Sequence, residues 1–311
     1  MHTILGVDLS ALPDQFDSAV QGRTLIVDGD GPAYVAAATA KRLDTALRRY
    51  QQEILKRMFM AGASAASIHL TASGSDKHGR FRVKATKPYQ GNRINKAKPS
   101  LLEPLREAVA DPNSWLPEYV VHMHRELEAD DGMIQEAYLY GENGVIQSED
   151  KDLRMTPHPY WELERGQIMA GQPVGFVALK HTPSGTQKLA GQGPMFFWGQ
   201  MLCGDTADHI QGVRRLNGAL CGPAGAYGVL KDVRCIDEAA NKVIDAYRAI
   251  DQNPLAEGWL LWLTRRPGDN VLTYFRERAL SDANAKFVDD CLHRDWVIPK
   301  EAASATDTNA E

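Results

Sequence analysis

A mostly parallel α/β sheet flanked by helices, with a helical subdomain after it, is the fold class that the sequence predicts. Three observations carry the prediction. Short, apolar, β-rich runs alternate with longer helical stretches through the first half of the chain, as βα crossover units require. Three of those runs lead into acidic clusters, and in an open α/β sheet ligands bind beyond the carboxyl ends of the strands. From Met195 onward apolar residues recur at helical spacing instead. The chain therefore divides into an α/β unit over residues 1–194, a helical unit over 195–300 and a disordered tail over 301–311.

The run Thr24-Leu25-Ile26-Val27, closing on Asp28-Gly29-Asp30-Gly31, predicts a buried strand with a turn at its carboxyl end. Pro32 fits the first turn of a helix, where its missing N–H costs nothing, and the alanine-rich stretch from Ala33 to Ala61 predicts one or two helices closed by Gly62. Ser67 to Thr71 predicts a second strand, followed by a turn at Ala72-Ser73-Gly74-Ser75. A polar, irregular segment leads from there to Lys98, and a helix is expected near Leu101 to Ala110, before Pro112. Glu118 to Met123 predicts the third strand, which leads through Glu128, Asp130 and Asp131 into a helix reaching Tyr140; acids at that end complement the helix macrodipole. Gly144 to Gln147 predicts a fourth strand, with Ser148-Glu149-Asp150-Lys151-Asp152 at its end. The Gly/Pro-rich stretch from Gly166 to Gly193 reads as loops and hairpins, and Phe196, Phe197, Trp198, Met201 and Leu202 as a helix leading to Gly204-Asp205.

At 311 residues the chain can bury a sizeable core, and 43% hydrophobic with 24% charged residues is an ordinary globular composition. Met1 to Phe16 has no basic start and no apolar core, and no stretch approaches the length of a membrane span, so a cytoplasmic protein is expected. Cys203, Cys221, Cys235 and Cys291 stand far apart, without the spacing of a structural zinc site. The net charge of -5 conceals an asymmetry: from Lys77 to Lys98 there are eight Lys/Arg and no acid. This basic arch, near residues 74–110, suits a phosphate backbone and, with few apolar residues to bury, is expected to be mobile without it. His122 and His124 alternate as on a solvated strand face, and Trp259 to Leu263 read as helix packing residues.

The acids carry the chemistry. Asp150 and Asp152 share one face of an extended chain, Glu128 and Asp131 share one face of a helix, and Asp205 and Asp208 repeat that helical spacing. Crowded carboxylates raise one another's pKa and repel, so cations must compensate. Oxygen-only ligand sets select hard ions, Mg2+ or Mn2+, and a pair of such ions can stabilise both the attacking and the leaving oxygen of a phosphoryl displacement.

Five blocks, in order, are Leu25-Ile26-Val27-Asp28-Gly29, Tyr89-Gln90-Gly91-Asn92-Arg93, Glu128-Ala129-Asp130-Asp131, Ser148-Glu149-Asp150-Lys151-Asp152-Leu153 and Gly204-Asp205-Thr206-Ala207-Asp208-His209-Ile210-Gln211-Gly212. Through them the chain resembles the structure-specific 5′ nucleases, a PIN-like family of flap endonucleases, polymerase-associated 5′ nuclease domains and stand-alone phage exonucleases, over roughly residues 24–250. The resemblance implies a metal-dependent 5′→3′ exonuclease or 5′-flap endonuclease, monomeric, acting in replication or repair on DNA with a free 5′ end (flap, nick or overhang) and on RNA–DNA hybrid primers. It implies that Asp28, Glu128, Asp130, Asp131, Asp150, Asp152, Asp205 and Asp208 hold the ions directly or through water. Arg93 would hold the scissile phosphate, Tyr89 would stack near the frayed 5′ nucleotide, and Asn92, Lys96 and Lys98 would contact DNA.

Where the family carries a lysine before Gly-Asn-Arg this chain has Gln90, so that cation is either missing or supplied by Lys87 or Lys84. The acid the family places after its second strand is contested here between Ser73 and Asp76. Gly212 to Leu230, including Gly222-Pro223-Ala224-Gly225, stands where the family has a helix-hairpin-helix; its backbone N–H groups would hold duplex phosphate or a K+ ion, helped by Arg214, Arg215 and Lys231. A purely structural turn is the alternative there. Asp28-Gly29-Asp30-Gly31 also resembles the nucleophile loop of haloacid-dehalogenase-type phosphatases, in which Asp28 would form a phospho-aspartate, and Gly204-Asp205 resembles their late metal motif. That reading expects Thr or Val at Pro32 and leaves Glu128 to Asp131 and the basic arch unexplained.

Overall fold

The apolar run around Ile26 becomes the centre of a six-stranded sheet. The computed structural model describes residues 19–93, 97–163 and 165–298, and the paired strands β1 (Thr3–Ile4) and β2 (Val7–Asp8). Lys96 and the tail over 301–311 lie outside the described residues. The main sheet is built from β3 (Val20–Asp28), β4 (Ala63–Thr71), β5 (Tyr119–His124), β6 (Gly144–Gln147), β7 (Tyr160–Glu162) and β8 (Gln167–Met169), in the order β5-β4-β3-β6-β7-β8. Strands β3 to β7 pair in parallel, and β8 closes one edge antiparallel to β7.

A parallel strand covered on both faces must be apolar on both, and Leu25, Ile26 and Val27 are all fully buried. The strand's two-residue period sends Leu25 and Val27 into a core with residues of α1 (Asp30–Thr39), α2 (Leu43–Met60) and α3 (Leu102–Ala110). Ile26 points the other way, to Met133, Ile134 and Ala137 of α4 (Ala129–Tyr140). The turn from β3 into α1 requires glycine: a Cβ at Gly29 would stand 2.7 Å from the His69 carbonyl and 2.6 Å from the Tyr50 hydroxyl.

The second half packs around α5 (Pro194–Cys203), whose Phe196, Phe197 and Trp198 are buried. Around it lie the hairpin of β9 (Phe176–His181) and β10 (Gln187–Gln192) and the helices α6 (Pro223–Leu230), α7 (Ile236–Arg248), α8 (Pro254–Leu261), α9 (Val271–Arg276) and α10 (Asp282–Leu292). Leu260, Leu261 and Trp262 are buried there as packing residues. The basic segment differs from expectation. It is irregular, but it is packed rather than loose, with Val83 and Tyr89 in the same core as α5 and Val83 bridging to Val297. Among the described residues no helix is long and apolar enough to cross a membrane.

Candidate active site

The carboxyl ends of β3 and β6 and the first turn of α4 deliver Asp28, Asp150, Glu128 and Asp130 to one cleft of about 900 Å³. Asp28 is fixed by the Ser148 hydroxyl, which donates to Oδ2 at 2.7 Å, and by the Asp30 amide, which donates to Oδ1 at 3.0 Å. Burial lifts the Asp28 carboxyl above its usual range despite the Ser148 bond, and Asp30 and Asp150 add to the rise. Asp130 has no hydrogen-bond donor among the described residues, and burial followed by Asp150, Asp28, Glu128 and Asp131 holds its carboxyl well above the usual range. Oxygen ligands that repel one another, one of them without any protein partner, suit a hard divalent cation.

A second group follows directly. Carboxylate oxygens of Asp152, Asp205 and Asp208 lie within 4.8 Å of one another. Lys151 stands between two of them, its Nζ 2.6 Å from Asp152 Oδ1 and 2.8 Å from Asp205 Oδ2. Burial, Asp150 and Asp205 lift the Asp152 carboxyl in spite of Lys151. Burial acts on Asp205 in the same sense, but Lys151 together with hydrogen bonds from Asp152 and the Ala207 amide outweighs it, and the carboxyl falls below its usual range. Asp208 is lifted by burial although Arg93 opposes this. Asp208 lines the cleft, whereas Asp152 and Asp205 do not.

Asp131 stands apart from the other acids, as an anchor of the arch. It is fully buried and receives Arg80 through both guanidinium nitrogens, at 2.7 and 3.0 Å, and the Thr264 amide at 3.0 Å. Burial alone would lift this carboxyl, but Arg80 prevails and holds it below the usual range. Its oxygens are committed, and it does not line the cleft. The basic run conceals this pair, because a guanidinium in a polar segment reads as solvated and Arg80 is in fact 1% exposed.

The arch residues are redistributed as well. The Tyr89 ring is buried and its hydroxyl donates to Glu128 Oε2 at 2.8 Å, so it positions Glu128 and is not a free stacking face. Exposed faces belong to Phe81 and Tyr34, which line the cleft. Asn92 ties the arch to the loop of Asp205 by donating to the Thr206 carbonyl at 3.1 Å. Lys84 pairs with Asp295 at 2.6 Å, and neither it nor Lys87 lines the cleft. The cation near Gln90 comes instead from Lys77, whose Nζ lies 2.9 Å from Glu128 Oε1 and donates to Gln90 Oε1 at 2.8 Å. Arg93, 46% exposed at its side chain, lines the cleft and pairs with Asp208 at 2.8 Å.

Lys98 also lines the cleft, and Arg106, which the sequence did not single out, pairs there with Asp30 at 2.8 Å. Ser73 and Ser75 line it at the contested position, while Asp76 pairs with Arg82 at 3.3 Å. Arg214, Arg215 and Lys231 are exposed, flanking α6, whose N-cap is Gly222. His122 and His124 both stack near His69, beneath α4, and the His122 side chain is 41% exposed.

No protein-family model matches the chain, and no curated protein is significantly similar to it. Among solved structures it is similar to the T5 D15 protein co-crystallized with metal ions, with a TM-score of 0.50 at 16% identity over 87% of this chain and 98% of that one. It is also similar to the bacteriophage T5 D15 flap endonuclease in a pseudo-enzyme-product complex with DNA and metal ions, with a TM-score of 0.47 at 14% identity over the same shares. At the first of these values the likeness is one of architecture: the chain shares the fold of the T5 D15 protein, a mostly parallel sheet flanked by helices, over nearly the whole of that protein's length.

Proposed function

We propose that this chain is a divalent-metal-dependent 5′ nuclease that hydrolyses DNA phosphodiesters near a free 5′ end. One observation carries the reading: carboxylates from β3, β6, α4 and the Asp205 loop converge at the carboxyl edge of the sheet, beside the cations Lys77, Arg93 and Lys98. Asp28, Asp130 and Asp150 with Glu128 would hold one Mg2+ or Mn2+ ion, and Asp152, Asp205 and Asp208 the other. Such ions supply Lewis acidity at the scissile phosphate.

The chain's own residues do the rest. Arg93 presents a planar fork for a phosphate oxygen, at a site where, among the described residues, Asp208 and the Ala207 carbonyl hold it. Lys77 brings positive charge beside Glu128, where negative charge accumulates in the transition state. Phe81 and Tyr34 offer faces for unpaired bases, and Lys98 and Arg106 guide the backbone. Contacts of this kind ignore base sequence, so strand ends rather than sequences are selected. DNA flaps, nicks and overhangs, and RNA–DNA hybrid primers, are the substrate class, with Arg214, Arg215, Lys231 and the turn before α6, with or without a K+ ion, on the duplex side of a monomeric enzyme. The phosphatase reading has less support, since it leaves the Glu128 to Asp131 cluster and the basic arch unexplained.

The test uses the full chain with labelled 5′-flap DNA and Mg2+, beside a phosphomonoester. Cleavage leaving a 5′-phosphate is expected, lost on chelation and lost in Asp130→Ala and Asp150→Ala, both of which should still bind DNA. Lys77→Ala should slow cutting about 100-fold, whereas Lys84→Ala should leave it near wild type. An Asp130→Ala protein that cuts at the wild-type rate would overturn the assignment.

A further inference from the structure

Away from the cleft, the sheet face under α4 carries a set of nitrogen ligands that the nuclease reading does not use. On β4 and β5, whose register sets His69 opposite His122 and Thr71 opposite His124, the imidazoles of residues 69, 122 and 124 emerge on one face. Glu136 comes down on them from α4, its Oε2 2.6 Å from His69 Nε2. Ligand atoms of His69, His122 and Glu136 all lie within 4.8 Å of one another. None of these residues lines the carboxylate cleft.

We propose that His69, His122 and Glu136 form a separate metal site that takes a borderline transition ion such as Zn2+, with His124 positioning His69. Two independent observations support it. The first is an unmet ligand atom: His122 Nε2 is buried without a hydrogen-bond partner and stands 3.7 Å from Glu136 Oε1, too far for a hydrogen bond and the right order of separation for two atoms sharing an ion. The second is a cradle in the helix: a Cβ at Gly132 would lie 2.2 Å from His124 Cε1 and 2.9 Å from His69 Nδ1, so α4 settles over the imidazoles only because that residue is glycine. Gly132 and Glu136 are one helical turn apart and share the face that meets the histidines.

His124 Nε2 is 2.9 Å from His69 Nδ1, and such a bond to the far nitrogen of a ligating imidazole fixes its tautomer and turns Nε2 toward the ion. A mixed nitrogen and oxygen set selects zinc-like ions, whereas the oxygen-only cleft selects Mg2+ or Mn2+. Bound there, the ion would join β4, β5 and α4, the helix whose first turn carries Glu128 and Asp130.

The experiment measures Zn2+ binding by calorimetry, and Co2+ by its visible absorption, on the chelator-stripped full chain in excess Mg2+ so that the acidic cleft is occupied. One Zn2+ per chain is expected, unchanged in Asp150→Ala and lost in both His122→Ala and Glu136→Gln. His124→Ala should bind about 10- to 100-fold more weakly. Zn2+ should raise the Tm of the wild type and of Asp150→Ala but not of His122→Ala, with circular dichroism confirming that each variant is folded. Failure to take up Zn2+ in excess Mg2+ overturns the proposal, as does uptake that survives in Glu136→Gln and disappears in Asp150→Ala. Cleavage plays no part in these readouts, so the site stands or falls apart from the nuclease reading.

Discussion

Asp130 and Asp131 occupy one helical turn, and burial lifts the carboxyl of each, yet the outcomes are opposite because Arg80 reaches only the second. A carboxylate held by a guanidinium supports the fold, whereas one facing other carboxylates strains it until a cation arrives. Asp130→Asn is therefore expected to raise the Tm of the chelated protein by a few degrees while abolishing cleavage, a trade between stability and function. Thermal melts in EDTA check this, and a fall in Tm would show that the carboxyl makes a favourable contact after all. The acids themselves were legible because each lies in a short motif at a strand or helix end. Lys77 was not, because its claim rests on Glu128 and Gln90, partners that no local pattern connects to it.

Elements with a clear period were legible in the same way. The four parallel strands β3 to β6 follow from apolar runs closed by turn residues, and α5 from its aromatic spacing. The arch was misjudged because a polar segment that folds around one buried guanidinium leaves no periodic trace. The turn after α8 shows a similar pairing: Asp269, 2% exposed, receives Arg265 Nε at 2.9 Å and the Trp262 indole N–H at 3.2 Å. Burial lifts its carboxyl, but the Arg265 bonds outweigh that and set it below the usual range. A lowered folded pKa means stability that is present above the unfolded value, about 3.9, and is lost as pH falls through the folded one. Asp269→Asn should thus be destabilised at neutral pH, and its deficit against wild type should shrink below about pH 4. Urea unfolding across a pH series measures the difference, and a deficit independent of pH would exclude the ionised pair as its source.

Over the whole molecule, a net charge of -5 coexists with a cationic arch whose charges are largely spent internally. Lys77, Arg80, Arg82, Lys84 and Arg93 each pair with an acid of the chain, while among the described residues Lys87 and Lys98 have no such partner. Release of counterions on binding DNA should follow the unpaired cations. Lys98→Ala is expected to lower the slope of log affinity against log salt by about 0.7–0.9, one phosphate's worth, and Lys84→Ala to change it little. Binding of 5′-overhang DNA titrated over several salt concentrations decides this, and equal losses for the two variants would mean that the Lys84–Asp295 pair opens on the substrate.

The anchoring of Arg80 also bears on how the protein comes into being. Its Nη2 donates to the Trp262 carbonyl, 182 residues further along, and its partner Asp131 waits for the Thr264 amide. A chain emerging from the ribosome amino end first has all eight acids in hand by Asp208, yet nothing with which to complete the socket that holds arch and helix together. At about 5–20 residues per second the interval between Arg80 and Trp262 is on the order of 10–40 s. Throughout that time the nascent polypeptide carries its acids without the socket that ties the arch to α4, and the cleft takes its final form only once Trp262 and Thr264 have been made.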